Sequence, residues 1–228
     1  MPLNTTEKQF ESDIAAALLS PAGGYTRNGD CYDPKLGLFV DTLIRFVQKT
    51  QPNEWAFFEK QNPVRKFCMA FNNACDAEGL LSVLRYGFKH RGRRFRVCYF
   101  QPESALNQKD AQRYAQNEIT CNRQWFYSDT THNSVDMVLA VNGIPVFAFE
   151  LKNQYTGQTV ENAKQQWMHD RDPREVCFQF NKRILGYFCV DLTEVWMATR
   201  LAGKDTRFLP FNQGSNGAGR DGGAGNPP

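Results

Sequence analysis

The sequence predicts a mixed α/β (α+β) domain in which helices flank a β-sheet. Apolar residues recur at helical spacing in the first third of the chain, and short aromatic and β-branched segments follow residue 118. A helical segment then interrupts these strands at residues 160–170, as expected when helices cover a sheet. With 228 residues, 41% of them hydrophobic, the chain is long enough for one well-buried core. No apolar run approaches the roughly 20 residues of a membrane span.

The helices are predicted from apolar periodicity and from their start and stop signals. Phe10, Ile14 and Leu18 mark the first helix, which Asn4 or Thr6 is expected to cap. The segment PAGGY ends this helix because proline and paired glycines interrupt helical structure. Further helices are predicted at residues 39–49, at 54–76 with a break at Asn62-Pro63, at 105–118 and at 160–170.

The strands are predicted from alternating and β-branched patterns. Residues 80–100 are expected to form two strands around a basic turn that contains glycine. Asn142-Gly143 is typical of a tight β-hairpin turn. Further strands are predicted in the segments ITCNRQWFY, SVDMVLAV, PVFAFELK, RILGYFCV and EVWMAT.

Residues 1–211 are predicted as one domain and residues 212–228 as a linker. The last seventeen residues contain six glycines and two prolines, a composition typical of a flexible linker toward a further domain. Seven cysteines, an odd number without a C-x-x-C pair, favour reduced thiols over zinc ligation or a full set of disulfides. Because the N-terminus also lacks the pattern of a secretory signal, a cytoplasmic location is expected.

Charged residues emerge at the ends of two strands that are otherwise apolar. Asp136 interrupts SVDMVLAV, and Glu150 and Lys152 follow the apolar part of PVFAFELK. Residues two apart share one face of a strand, so Glu150 and Lys152 are expected to point the same way. The opposite side, which carries Phe147 and Phe149, is expected to face the core.

This arrangement has the chemistry needed for phosphodiester hydrolysis. Asp136 and Glu150 are two carboxylates that could hold Mg²⁺, a cation that prefers oxygen ligands and keeps waters. Leu151 could add its backbone carbonyl, and Lys152 could position a water and stabilise developing charge. The alternative is a surface ion pair between Glu150 and Lys152 without catalytic function.

The hairpin imposes a geometric condition on this site. If Asn142-Gly143 is a strict two-residue turn, Val135 rather than Asp136 lies opposite Glu150. The two carboxylates would then lie on opposite faces of the sheet. The site therefore requires a loop of odd length or a β-bulge between the two strands.

A basic run lies in the segment RYGFKHRGRRFRV. A patch of this kind matches the electrostatic footprint of phosphate binding, and a solvated hairpin in a basic protein explains it equally well. The net charge of the chain, +3, does not identify a partner. The basic residues are Arg85, Lys89, Arg91, Arg93, Arg94 and Arg96.

Several segments resemble the N-terminal endonuclease domain of the restriction (R) subunit of type I restriction–modification enzymes. These segments are Leu84 to Gly87, SVDMVLAVNGIPVFAFELKN, RDPRE and ATRLAGKDTRFLPFNQG. That domain belongs to the PD-(D/E)xK nuclease superfamily, and the resemblance extends over most of the chain. It implies a restriction-endonuclease-like core with Asp136, Glu150 and Lys152 as the motif residues. It also implies Glu11, on the first helix, as a further metal ligand.

The helix after the lysine strand departs from the family pattern. The family carries a Gln-x-x-x-Tyr motif there, but Gln166 is followed by Asp170 and the tyrosine is missing. Gln166 and Trp167 are therefore expected to replace it in the catalytic site. Lys164 and Arg171 flank this helix, where they would contact DNA phosphates or remain as solvated charges.

The resemblance implies a Mg²⁺-dependent type I site-specific deoxyribonuclease that cleaves double-stranded DNA. Target choice would come from modification and specificity subunits, and ATP would be used by motor domains that translocate DNA. The sequence contains no phosphate-binding loop motif, so ATP dependence would belong to those domains. One alternative is a non-catalytic module of the same complex that grips DNA or docks subunits. Another is a stand-alone restriction or repair nuclease.

Overall fold

Helices dominate the first half of the chain and strands dominate the second half. The computed structural model describes residues 7–58, 60–104 and 107–211. The helices are α1 (Glu7–Leu19), α2 (Val40–Thr50), α3 (Pro52–Ala56), α4 (Pro63–Glu78), α5 (Leu80–Tyr86), α6 (Gln108–Tyr114) and α7 (Val160–His169). The strands are β1 (Tyr32–Asp33), β2 (Leu38–Phe39), β3 (Phe88–His90), β4 (Arg93–Phe95), β5 (Ile119–Phe126), β6 (Ser134–Val141), β7 (Ile144–Leu151), β8 (Gly186–Val190), β9 (Val195–Ala198) and β10 (Leu209–Pro210).

The central feature is a six-stranded mixed sheet in the order β10-β9-β8-β7-β6-β5. Neighbouring strands are antiparallel except β7 and β8, which run parallel. A parallel pair needs a long crossover, and α7 lies in the connection between these two strands. The predicted mixed α/β fold is confirmed.

The sheet is covered by α1 on one face and by α7 on the other. Ala15 of α1 packs with Met137 and Leu151, while Trp167 of α7 packs with Ala148. Ala148 is fully buried, whereas Phe147 on the other face is 38% exposed. The expectation that the phenylalanine side of β7 faces the core is therefore wrong at Phe147. Its ring contacts Phe188 on one side and is partly exposed to solvent.

A second core joins α2, α4 and α5 to the β3–β4 hairpin and to the beginning of β7. Phe88 and Phe95 of the hairpin pack in the same cluster as Ile144 and Val146. Glu150 lies at the opposite end of β7. It is four residues from Val146, a distance of roughly 13 Å at 3.3 Å per residue. The basic hairpin and the acidic strand end therefore occupy different ends of the sheet.

Most predicted elements are present, with one clear error in type. Residues 80–86 form the helix α5 and not a strand, because Leu80, Val83 and Leu84 recur at helical spacing and all three are buried. Gly79 and Gly87, both with positive φ, bound this helix. The predicted helix at 105–118 is shorter than expected and spans Gln108–Tyr114. The proposed caps of the first helix and the predicted linker at 212–228 lie outside the described residues.

Within the described ranges, no helix is long and apolar enough to span a membrane. All seven cysteines lie in these ranges with free thiols, and Cys31 alone among them is exposed.

Candidate active site

The β6–β7 hairpin contains the two-residue turn that the sequence predicts. Asn142 and Gly143 have φ values of 50° and 80°, and Val141 pairs directly with Ile144. Positive φ at both central residues is the requirement of a type I′ turn. A ladder without interruption would therefore place Val135, not Asp136, opposite Glu150.

A β-bulge changes this register. Ala140 pairs with Pro145, but Leu139 already pairs with Phe147, so Val146 is an extra residue on β7. Beyond the bulge every pair is displaced by one residue. The geometric condition that the sequence sets is therefore met.

The shifted register brings the two carboxylates together. Met137 pairs with Phe149, so the next residues outward, Asp136 and Glu150, lie opposite one another. Both therefore point to the same face of the sheet. Each carboxyl group affects the pKa of the other, so the two lie near one another.

The side chain of Asp136, on β6, is half-buried and contacts the end of the neighbouring strand β7. Its Oδ2 accepts a hydrogen bond of 2.8 Å from the backbone N–H of Leu151. Burial raises the pKa of the Asp136 carboxyl, and the Leu151 hydrogen bond and the Lys152 ammonium oppose that rise. Leu151 thus meets Asp136 through its amide, and the role of its carbonyl as a metal ligand stays a prediction.

The Glu150 side chain is fully buried, and only one of its two carboxylate oxygens accepts hydrogen bonds from the described residues. Burial raises the pKa of its carboxyl to about 8, against the lowering effect of the Arg171 guanidinium. Arg171 donates to Oε1 from Nη2 at 2.6 Å and from Nε at 2.9 Å. Among the residues that the structure describes, Oε2 of Glu150 has no hydrogen-bond partner although it is buried.

Lys152 lies directly after β7 and is buried against the beginning of α1. Its Nζ forms an ion pair of 2.8 Å with Oε1 of Glu7, and only 5% of the side chain is exposed. Glu7 also raises the pKa of Asp136, so it belongs to the same charged group. The cluster of Glu7, Asp136, Glu150, Lys152 and Arg171 is called the acidic centre below.

Glu11 is engaged elsewhere. Its Oε1 accepts from Nε of Arg123 at 2.6 Å, and its Oε2 accepts from Nε2 of Gln124 at 3.1 Å. Both oxygens of this buried carboxylate are therefore already bound. Glu7, one turn earlier on α1, is the carboxylate of this helix that contacts the acidic centre.

The side chains of α7 do not behave as the family pattern implies. Trp167 is fully buried and donates from Nε1 to the Phe188 carbonyl at 3.1 Å, so it packs as a core residue, and its role in place of the missing tyrosine stays a prediction. Gln166 is half-buried, and in the described part of the chain its buried Oε1 has no hydrogen-bond partner. A catalytic role for Gln166 stays a prediction.

Lys164 and Arg171 are both buried, so the interpretation of these residues as solvated charges is wrong. Nζ of Lys164 lies 3.5 Å from the centre of the Trp196 ring and 2.6 Å from Oε1 of Glu161. Its ammonium therefore has partners within the fold, and contact with DNA would require their exchange.

The arginines of the basic hairpin divide between two sides of β4. Arg94 and Arg96 donate to the carbonyls of Tyr86 and Arg85 at the end of α5, at 2.6 and 2.5 Å. They line a cavity of about 330 Å³ together with Arg85 and Arg113. On the other side, the Arg93 guanidinium stacks 4.2 Å above the ring of exposed Phe57, and Arg91 occupies the turn with φ 47°.

Asp136 and Glu150 are the residues of the acidic centre that could hold a divalent cation. Within residues 7–58, 60–104 and 107–211, no three His, Cys, Asp or Glu side chains cluster as a complete metal cage. Magnesium does not need such a cage, because it retains waters and takes one or two carboxylates plus substrate phosphate oxygens. The unpaired Oε2 of Glu150 beside the Asp136 carboxylate is therefore a suitable donor set.

Two contributors to this centre are not predicted as part of it from the sequence. Glu7 is not among the candidate residues, and Arg171 is expected there only as a DNA-phosphate contact or a solvated charge. Glu7 lies four residues before Glu11, and positions i and i+4 share a helix face, so the helix pattern alone could have included it. Arg171 lies 21 residues from Glu150. No spacing rule in the sequence predicts that contact.

The fold and the acidic centre define an α/β protein with paired carboxylates where two neighbouring strands of a mixed sheet meet. Residues 5–214 match the family described as Type I restriction enzyme R protein N terminus (HSDR_N). This match covers most of the chain, so the chain belongs to that family. A search of curated proteins gave no significant match. The family connects the chain to a multi-subunit restriction enzyme that acts on DNA.

Proposed function

We propose that this chain is a Mg²⁺-dependent endonuclease domain that hydrolyses DNA phosphodiester bonds. The observation that carries the proposal is the bulge at Val146, which brings Asp136 opposite Glu150 with Lys152 immediately beyond. The register shift places the buried Glu150 beside the half-buried Asp136, an arrangement that costs free energy if both carboxylates are charged. Membership of the restriction R-subunit family supports the same assignment.

Asp136 and Glu150 are the residues that would hold the cation. Oε2 of Glu150 has its lone pairs available in the described structure, and Asp136 is oriented by the Leu151 amide. Placing two carboxylates side by side in a buried site costs free energy that a cation would offset. A bound magnesium ion would supply an activated water and neutralise charge on the phosphate.

Lys152 is the residue that would orient the attacking water and stabilise the charged transition state. Its ammonium is buried close to Asp136 and Glu150 and is held by Glu7. The Glu7 contact fixes the long lysine side chain in one conformation before substrate arrives. Glu7 therefore contributes positioning, and it replaces Glu11 in our assignment of the acidic residue on α1.

The basic hairpin would hold the DNA backbone away from the reacting phosphate. Arg94, Arg96, Arg85 and Arg113 line one cavity together with Glu54 and Asp110. Their guanidinium groups suit phosphate oxygens, although Arg94, Arg96 and Arg113 would have to exchange the partners that they have within the fold. Such contacts position DNA and read no sequence. We therefore propose that modification and specificity subunits select the target and that ATP-driven motor domains trigger cleavage.

A non-catalytic, DNA-gripping module is the second candidate. The observation that favours it is that Glu150, Lys152 and Glu7 already have ion-pair partners within the fold. In that case the acidic centre would only stabilise the sheet against α1 and α7. The two candidates differ in whether the centre binds a divalent cation.

Two measurements separate these candidates. The first is the heat of Mg²⁺ or Mn²⁺ binding to the chain, which we expect to disappear in Asp136→Asn and to persist in Lys152→Ala. The second is Mg²⁺-dependent nicking of supercoiled plasmid by the assembled restriction enzyme, which both substitutions should abolish. Asp41→Asn, at an exposed position on α2, is the matched control. Unchanged nicking with Lys152→Ala would exclude the mechanism.

A further inference from the structure

Arg171 occupies an unusual position for a charged residue. It lies two residues beyond the end of α7, after the C-cap residue Asp170, and only 6% of its side chain is exposed. Burial of a guanidinium is costly unless it is paired and its N–H groups are satisfied. Three of its contacts lie in or beside the acidic centre, to Glu150, to the Ser134 carbonyl and, at 5.7 Å, to the ring of Tyr127.

Arg171 binds Glu150 on one oxygen only. An arginine and a carboxylate commonly form a fork in which two N–H groups bind two oxygens. Here Nε and Nη2 both donate to Oε1, at 2.9 and 2.6 Å. Oε2 is left buried and, among the described residues, without a hydrogen-bond partner. This geometry leaves one oxygen of Glu150 without a protein donor in the described structure, while Asp136 lies opposite Glu150 on the neighbouring strand.

Arg171 also connects the two strands that carry the carboxylates. The same Nη2 that binds Glu150 on β7 donates to the carbonyl of Ser134 on β6 at 2.9 Å. Ser134 lies two residues before Asp136 on that strand. One guanidinium therefore links the ends of β6 and β7 next to the paired carboxylates.

We propose that Arg171 is the positioning residue of the cation site. It holds Glu150 by Oε1 so that Oε2 faces the divalent cation, and it fixes the separation of Asp136 and Glu150 through Ser134. This inference rests on the proposed metal-dependent function. A guanidinium is suited to the role because its planar N–H groups have fixed directions, whereas an ammonium is a point charge without them.

The experiment compares Mn²⁺ affinity of the full chain in Arg171→Lys and Arg171→Met with that of the unsubstituted protein. Calorimetry gives the dissociation constant, and the electron paramagnetic resonance spectrum of bound Mn²⁺ reports the symmetry of its ligands. Arg174→Met is the matched control, because Arg174 lies three residues away with an 89% exposed side chain paired to Asp172. Circular dichroism identifies any variant that does not fold, in which case Arg171→Lys, which keeps the charge, carries the test.

We expect both Arg171 variants to weaken Mn²⁺ binding at least tenfold and to alter the spectrum, with Arg174→Met within twofold of the unsubstituted protein. Binding by Arg171→Lys or Arg171→Met that is equal to or tighter than that of the unsubstituted protein would overturn the inference, since Arg171 would then only compete with the cation. If the unsubstituted protein shows no Mn²⁺ binding that depends on Asp136, the proposed function fails and the inference fails with it.

Discussion

The Asp136 carboxylate accepts a hydrogen bond of 2.8 Å from the backbone N–H of Leu151 on the neighbouring strand. This contact connects the Asp136 side chain on β6 to the end of β7, where Glu150 immediately precedes Leu151. A carboxylate that is oriented by a backbone amide cannot rotate freely into solvent. The hydrogen bond therefore holds Asp136 next to Glu150. Burial opposes negative charge on both groups, since it raises the pKa of each carboxyl.

The stability of the metal-free protein should decrease as the pH rises from about 4.5 to about 8. Burial raises the pKa of Glu150 from 4.5 to about 8, so the folded protein retains a proton that the unfolded chain releases. A group with a raised pKa in the folded state contributes stability at low pH and loses it as the pH passes through that pKa. Thermal unfolding in EDTA at pH 5.5, 7 and 8.5 measures this fall.

The same series in Glu150→Gln should show a smaller fall, while Glu78→Gln, at an exposed position on α4, should match the unsubstituted protein. Equal slopes for all three proteins would show that Glu150 does not titrate in this range.

Glu7→Gln and Glu11→Gln should differ in their effect on DNA cleavage. Glu11→Gln removes the charge that binds Arg123 and should lower the free energy of unfolding by about 1.5–3 kcal/mol, the usual contribution of a charged hydrogen bond. Glu7→Gln leaves the Lys152 ammonium, whose side chain is only 5% exposed, without its ion-pair partner, so it should also lower stability, and it alone should reduce DNA cleavage by releasing Lys152. Urea unfolding and plasmid nicking measure the two effects. Loss of metal binding in Glu11→Gln at unchanged stability would restore Glu11 as a ligand.

Substitution of the hairpin arginines should weaken DNA binding without affecting the acidic centre. Each phosphate contact that is lost reduces the slope of log affinity against log salt by about 0.9. We expect this change for Arg94→Ala and for Arg96→Ala, with Mn²⁺ affinity unchanged because the hairpin packs at the other end of β7. Arg65→Ala, at an exposed position on α4, removes the same charge and should leave the slope unaltered. An equal effect of all three substitutions would indicate only a general dependence on net charge.

Lys164→Met should destabilise the domain more than it weakens DNA binding. The ammonium of Lys164 lies 3.5 Å from the centre of the Trp196 ring, and a desolvated contact of this kind contributes about 1–2 kcal/mol. Chemical denaturation measures the loss, and DNA binding by the folded variant should stay within twofold. A large loss of DNA affinity at unchanged stability would instead support direct phosphate contact by Lys164.

The sequence predicts correctly the elements that depend on local patterns of residues. The turn at Asn142-Gly143 and the strands on either side follow from backbone conformation and from alternation. The helix α5 was assigned as a strand because a seven-residue apolar segment fits both periods. Its flanking glycines and its buried positions settle the assignment only when the surrounding core is known.

The sequence predicts that the site requires a bulge or an odd loop, but not where the bulge lies or which further side chains surround the carboxylates. The hairpin arithmetic requires a bulge but does not say at which residue it lies. The structure has the extra residue at Val146, which packs with Ile144 in the second core. The contribution of Glu7 and the contact of Arg171 with Glu150 do not follow from the sequence for a similar reason. Each contacts the acidic centre across a long separation in sequence, and such contacts depend on how α1 and α7 pack on the sheet.

The most direct test of the acidic centre is anomalous diffraction from crystals of this chain soaked in Mn²⁺. We predict a peak between the Asp136 carboxylate and Oε2 of Glu150, with metal–oxygen distances slightly longer than the roughly 2.0–2.1 Å of magnesium. Arg171 should remain on Oε1 in that structure. The absence of a peak at these two carboxylates, with both occupied by protein partners alone, would contradict the account.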